Sequence, residues 1–421
     1  MLPGLHDHHV HILATAALTR SLDLSGKTNQ SEVVAAIRYA DEQLPDEECL
    51  RIVGYDERAA GIPDRSQLDG WLASRPIRLQ DRTGALWVLN SAAMAMLPAG
   101  HWPSGAERVH GKLTGRFWRE DRWLQRALAL PGPDLSAISK RWSALGVTYV
   151  TDAGARNGPR EAAFLAKARR DGQLRQKLHL MGDESLLAGE GYELGPLKLL
   201  LDERHLPSLD ELTARIRTAR TADRRVAAHC VTLGELAFFI AALDASGGAC
   251  PGDRIEHGSV ISRDYIPLIR SRGLAVVINP IFIRDRGQRY LETIPPSDLP
   301  DLYRMDSLRR AGVHLCAGSD GPYGSIDPWA AMAAAIRRET ASGDLLSREE
   351  ALTPLDAFKL WLTEENPDDV SWPRIGDPAD LMVCGGSMLE IINQPCNDRV
   401  ELTLIDGDVV YAREPYKSLP A

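Results

Sequence analysis

Six residues spread along this 421-residue chain carry groups that can together hold metal ions and activate water: His9, His11, Lys198, His229, His257 and Asp320. His9 and His11 alternate in an extended stretch, so both imidazoles fall on one face and can serve one ion. Asp7 just before them could orient a ring, whereas His6 and His8 point the other way and are not expected to be ligands. His229 in VAAHC and His257 in RIEHG each close an apolar run. Taken singly, either reads equally as a core histidine; on successive strands they read as a pair of ligands. Asp320 ends HLCAGSD, and the cap and first-turn proline of the following helix are already supplied by Asp327 and Pro328. Its carboxylate is thus left to bind metal and to carry a proton from the attacking water to the leaving nitrogen.

Lys198 is harder to place. An ammonium repels metal ions and is costly inside an apolar segment such as PLKLLLD. Two readings stand: a salt bridge to Asp202, or addition of CO2 to the amine, giving a carbamate whose two oxygens bridge two metals. The nitrogen and oxygen donors suit zinc first, and iron, manganese or nickel as well.

These residues need a scaffold that gathers them. From Val147 onward short apolar runs alternate with helix signals: VTYVTD, KLHLM, PLKLLLD, VAAHC, RIEHG, AVVINP and HLCAGSD. Runs of this kind are buried strands of a parallel sheet, and a parallel barrel would bring their ends onto one rim. Ser208 with Glu211 and Ser347 with Glu350 read as capping boxes, and Gly273 as a helix terminator. Counting IRLQ near residue 77 gives one strand too many for eight, so one early segment should lie outside the barrel. Residues from about 40 to 130, rich in Pro, Gly and Trp, read as an irregular insertion after the first strand. IGDPADLMVC and VELTLIDGDVVY, the latter a hairpin about Asp406-Gly407, form a β appendage. The division is a barrel over 1–370 and an appendage over 371–421.

Composition narrows the partners. A chain that is 44% hydrophobic and 25% charged can bury a large core. Its net charge of −9, with no long basic run, argues against nucleic acid or an anionic membrane. Six widely spaced cysteines, with no CxxC pair, fit a reducing cytoplasm, and no apolar stretch is long enough to span a bilayer.

Several segments together resemble the amidohydrolase superfamily, in the branch holding N-substituted formamide deformylases and YtcJ-like proteins. They are GLHDHHVH at 4 to 11, GVTYVTDAG at 146 to 154, GPLKLLLD around Lys198, AAHC at His229, DRIEHG at His257, AGSDGP at Asp320 and GDPADLMV at 376 to 383. The resemblance implies a (β/α)8 TIM barrel with a small C-terminal β-sandwich. It also implies one metal on His9, His11 and Asp320, a second on His229 and His257, and carbamylated Lys198 bridging them. Departures are informative. Ala85 stands where the family usually has histidine. His229 is followed by Cys230, Val231, Thr232 and Leu233 instead of the family's His-x-x-Gly-Asp, and the Gly-rich stretch after the lysine is shortened. The β-strands that precede the HxH strand in the family are absent before Met1. This predicts an incomplete sandwich whose open edge invites a second copy of the chain, or a start assigned too late.

The expected activity is hydrolysis of a C–N bond in an amide, formamide or cyclic amide by a metal-activated hydroxide, with Asp320 and His257 as catalytic groups. Arg82, Trp87, Asp152, Tyr323 and Arg284 are candidates for contacting the small-molecule substrate, with a loop from Pro280 to Tyr303 supplying the arginine. The alternatives are a mononuclear, deaminase-like hydrolase in which Lys198 is structural, and a non-catalytic paralogue that keeps its metal as a staple.

Overall fold

The computed structural model describes residues 1–421 except 46–47, 99, 129–131, 363–371, 415 and 417–421. Eight parallel strands form its centre: β1 Leu5–Val10, β2 Val147–Asp152, β3 Lys177–Gly182, β4 Glu193–Leu199, β5 Val226–Cys230, β6 Arg254–His257, β7 Ala275–Ile278 and β8 Leu315–Ala317. They pair in sequence order, each with the next. Beyond the last ladder the sheet is drawn round on itself. The Asp320 amide donates to the His9 carbonyl at 2.7 Å, and the His11 amide to the Gly321 carbonyl at 2.8 Å. This is the expected barrel, nearly closed, and the closure places the residues after β8 against those after β1.

The strands read as apolar runs because both of their faces are covered; β1, β6 and β8 are buried along their whole length. Between strands the chain forms helices, among them Pro159–Arg170, Leu209–Thr221, Leu233–Ala245, Ile281–Thr293 and Pro328–Arg337. Ser208 and Glu211 form the expected capping box, and Asp327 accepts from the amides of Trp329 and Ala330. Gly273 sits at φ +64 after the helix Ile266–Ser271, as its sequence position predicts. The box expected at Ser347 does not form. Ser347 has a left-handed backbone, its hydroxyl donates to the Leu299 carbonyl, and Glu350 turns inward to Arg304 and Ser307. Thr353 caps the helix that follows, Pro354–Lys359. The supposed loop from Pro280 to Tyr303 is mostly the helix Ile281–Thr293.

Residues Ala16–Asp134 make a separate compact unit. They begin earlier than the insertion inferred from composition, and they are not irregular. A six-stranded mixed sheet runs through them in the order Leu22–Asp23, Leu50–Tyr55, Ile77–Asp81, Leu86–Leu89, Lys112–Trp118, Ala106–Val109. IRLQ, the surplus strand, belongs to this sheet. The helices Gln30–Gln43 and Arg65–Trp71 contribute Val33, Ile37, Leu68 and Trp71 to the core cluster that holds Leu50, Ile52, Ile77 and Leu79.

The other unit holds the barrel and a four-stranded antiparallel sheet ordered Leu2–Pro3, Leu381–Cys384, Val400–Ile405, Asp408–Ala412. Its hairpin turns at Asp406 and Gly407, both at positive φ, the geometry that favours Asp-Gly. Leu2–Pro3 supplies a strand ahead of β1 that pairs with Leu381 and Met382. The domain boundary placed at 370 falls outside the described residues. No helix among the described residues is long and apolar enough to cross a membrane.

Candidate metal centre

All six predicted residues lie at or just beyond the C-terminal ends of barrel strands, the rim where such barrels carry their chemistry. His9 is the penultimate residue of β1 and His11 follows it, Lys198 and His229 are the penultimate residues of β4 and β5, His257 ends β6, and Asp320 follows β8. The ligating atoms of His9, His11 and Asp320 all lie within 4.8 Å of one another. Among the described residues no other group of three or more His, Cys, Asp or Glu is so disposed. Asp320 Oδ1 is 3.3 Å from His9 Nε2 and 3.2 Å from His11 Nε2. The His257 ring centroid stands 4.6 Å from that of His9 and 4.5 Å from that of His229.

Protonation follows from the partners behind these rings. Asn279 donates its amide N–H to the Gly318 carbonyl at 2.9 Å, which turns its Oδ1 to His257 Nδ1 at 2.8 Å. An amide oxygen only accepts, so Nδ1 carries the proton and Nε2 keeps its lone pair. His9 Nδ1 contacts the Glu256 carboxylate and so carries a proton. His9 Nε2 and Asp320 Oδ1 are both buried and 3.3 Å apart, and neither has a hydrogen-bond partner. Burial and Lys198 work against a charged His9 ring, but the Glu256 and Asp320 carboxylates raise its pKa. A proton on Nε2 or a cation between the two atoms relieves their contact, and a divalent metal fits that place. Burial keeps His229 and His257 neutral, the ligating form, with His229 pushed down to about 4 and His257 also lowered. Burial works against the Asp320 carboxylate, yet His11 and His9 hold its pKa well below the usual range. His257 and Asp320 both have positive φ, at 71° and 52°, a conformation that non-glycine residues adopt mainly where surroundings impose it.

Lys198 is 3% exposed, and its Nζ has no hydrogen-bond partner. It does not pair with Asp202, which lies exposed and accepts from the Arg204 amide. Its counterion is Glu256, whose Oε2 is 3.5 Å from Nζ. Burial lowers the ammonium's pKa despite that carboxylate, which favours the free amine a carbamate requires.

Glu256, Arg254, Asn279 and Ser319 were not singled out from the sequence. Arg254 donates to Glu256 at 2.5 Å and to the His8 carbonyl at 2.8 Å. Asp7, whose carboxyl burial pushes up to about 6, accepts from Ser319 Oγ at 2.5 Å and from the Ser319 amide at 2.9 Å, tying β1 to the turn that carries Asp320. The signal was present: Arg254 and Glu256 are alternate charged residues in a short strand that is buried throughout. His6 and His8 bond elsewhere, to Thr151 and to the Leu362 carbonyl.

The substrate candidates separate. Tyr323 is 61% exposed with its ring 5.8 Å from that of His11, and its carbonyl accepts from Arg286. Arg284 is exposed on the helix Ile281–Thr293. Asp152 is buried and accepts from the Ile12 and Gly154 amides and from Asn157, so it secures the ends of β1 and β2. Arg82 and Trp87 belong to the other unit. There Arg82 faces Asp56 and Glu57, and Trp87 is buried with its indole N–H on Asp121.

Comparison with known sequences and structures identifies relatives of the chain. The putative amidohydrolase YtcJ of Bacillus subtilis strain 168 is 24% identical, the match covering 98% of this chain and 89% of that one. N-substituted formamide deformylase of Arthrobacter pascens is 23% identical, covering 98% and 88%. An uncharacterized metal-dependent hydrolase from Pyrococcus horikoshii OT3 shares the fold with a TM-score of 0.69 at 19% identity, over 85% of this chain and 79% of that one. Residues 1–411 match the amidohydrolase family Amidohydro_3, and the chain belongs to that family.

Proposed function

We propose that the protein hydrolyses a C–N bond of a small amide, formamide or cyclic amide. The observation that carries this reading is the buried meeting of His9 Nε2 and Asp320 Oδ1, neither with a hydrogen-bond partner, beside His11 at the barrel rim. A divalent metal, zinc first, supplies Lewis acidity toward a carbonyl and lowers the pKa of water when bound there. His9, His11 and Asp320 would hold one ion; His229 and His257 would hold a second, with the Lys198 carbamate between them. Asp320 takes the proton of the attacking water and returns it to the leaving nitrogen, which needs an acceptor that is itself fixed in place. His257, oriented by Asn279, stands beside it. Tyr323 and Arg284 are the candidates for substrate contact. The N-substituted formamide deformylase among the relatives supports an N-formyl amine as first substrate to try. Free cysteines throughout support a cytoplasmic location, and pairing of two copies along an edge of the antiparallel sheet is part of the same reading.

A second reading has one metal on His9, His11 and Asp320, with Lys198 as a structural ammonium; its 3.5 Å approach to Glu256 favours this. Metal analysis with a substrate screen decides between them. Two ions per chain and turnover of N-formyl or N-acyl amines support the first. Full turnover with one ion per chain supports the second, and no hydrolysis by metal-loaded protein contradicts both.

A further inference from the structure

The geometry points to a second binding site, in the unit Ala16–Asp134: Arg51 and Arg78, side by side beside the Trp87 ring, bind a small oxyanion, a carboxylate or a phosphate. The two arginines are direct partners in the parallel pairing of Leu50–Tyr55 with Ile77–Asp81. Their neighbours Leu50, Ile52, Ile77 and Leu79 fill the core on one face of the sheet, so alternation puts both guanidinium groups on the other. Trp87, on the adjoining strand Leu86–Leu89, shares that face. The Arg51 guanidinium carbon is 5.5 Å and the Arg78 carbon 4.9 Å from its ring centroid.

Stacking on an indole explains where each group lies, but it leaves two demands unmet. Like charges directly opposite on neighbouring strands repel, and these two are half-buried, where water screens them less. Their donors also lack acceptors. Arg51 donates once, to Ser21 Oγ at 2.6 Å, while Arg78 makes no hydrogen bond among the described residues and its Nε is buried without a partner. Neither forms an ion pair with a described carboxylate. Asp121, the carboxylate whose charge acts on both, is exposed and accepts from the Trp87 indole. Four buried arginines are unlike this pair. Arg338 gives its donors to the carbonyls of Leu346, Tyr303 and Leu302, and Arg75 to Asp41 and the carbonyls of Pro45 and Glu48. Arg224 is satisfied by carbonyls alone, and Arg254 by Glu256 and a carbonyl. One oxyanion lying between Arg51 and Arg78 would meet both demands at once. It offsets the repulsion, and its oxygens accept from two planar forks that suit carboxylate and phosphate geometry.

The test is calorimetric titration of the full-length, metal-loaded protein with sodium phosphate and, separately, sodium acetate at constant ionic strength. The wild type should bind at least one of them saturably, and which one identifies the group recognised. Arg51→Gln and Arg78→Gln should each weaken that binding at least tenfold, and Arg108→Gln, at an exposed arginine of the same unit, should leave it unchanged. Arg78→Lys keeps the charge without the fork and should fall between. Absence of saturable binding by the wild type overturns the proposal. So does binding that survives both glutamine substitutions, as an anion held at the metal centre would. Should the glutamine variants not fold, wild-type affinity in Arg78→Lys overturns it instead.

Discussion

Glu256 Oε2 stands 3.5 Å from Lys198 Nζ and also contacts His9 Nδ1, so one carboxylate on β6 serves a residue of β4 and a residue of β1. Both are predicted metal ligands. Glu256→Gln keeps the shape but removes the charge and allows the amide to face His9 with either end. Outer partners of this kind are worth about 10–100-fold in metal affinity. We expect a loss in that range, read by competition with a chromophoric chelator; unchanged affinity would show that the contact does not set the His9 ring.

Asn279 makes the corresponding contact to His257. Asn279→Leu leaves Nδ1 without its acceptor, so the ring is free to take the other tautomer. Metal affinity should fall by roughly tenfold or more, with a far-UV spectrum like that of the wild type. Asn279→Asp, which still accepts at that position, should recover part of the loss, and equal loss in both variants would argue against an orienting role.

Much of this was readable in the chain, and what was missed has physical reasons. Buried parallel strands announce themselves as unbroken apolar runs, which is why β2 to β8 were located by pattern alone. Residues from about 40 to 130 read as irregular because the strands there are short, several pair antiparallel, and Gly and Pro stand among them. Ser347 with Glu350 matches the capping-box spacing, yet Glu350 is drawn inward by the Arg304 guanidinium and only the single 3-10 turn Arg348–Glu350 starts at Ser347, without a side-chain cap. In the site, histidines after strands are visible as types. Glu256 is not, because regular strand alternation would set it on the face opposite His257; the φ of 71° at His257 breaks that alternation. Asn279 was hidden in a strand end with no motif.

Asp152 illustrates a residue whose type suggested substrate contact and whose bonds say otherwise. It accepts from the Ile12 amide at 2.8 Å, the Gly154 amide at 2.9 Å and Asn157 at 2.7 Å. Asp152→Ala takes the acceptor from three donors, two of them buried, and a loss of about 2–4 kcal/mol in unfolding free energy is expected by urea denaturation. A change confined to KM with wild-type stability would restore the substrate role.

Asp320→Asn keeps the size of the side chain and removes its ability to take a proton. The role proposed for Asp320 predicts a fall in kcat of about 10²–10⁴-fold with thermal unfolding little changed. Wild-type kcat in this variant would exclude Asp320 as the proton carrier.

The central claim is that hydrolysis depends on metal held by the rim residues, and metal removal tests it most directly. Protein purified without added metal should contain about two divalent ions per chain by elemental analysis, the number the proposed ligand set would hold. Dialysis against a chelator should abolish hydrolysis of N-formyl or N-acyl amines, and zinc or manganese should restore it in the wild type but not in His9→Ala. Full turnover by metal-free protein would contradict the account.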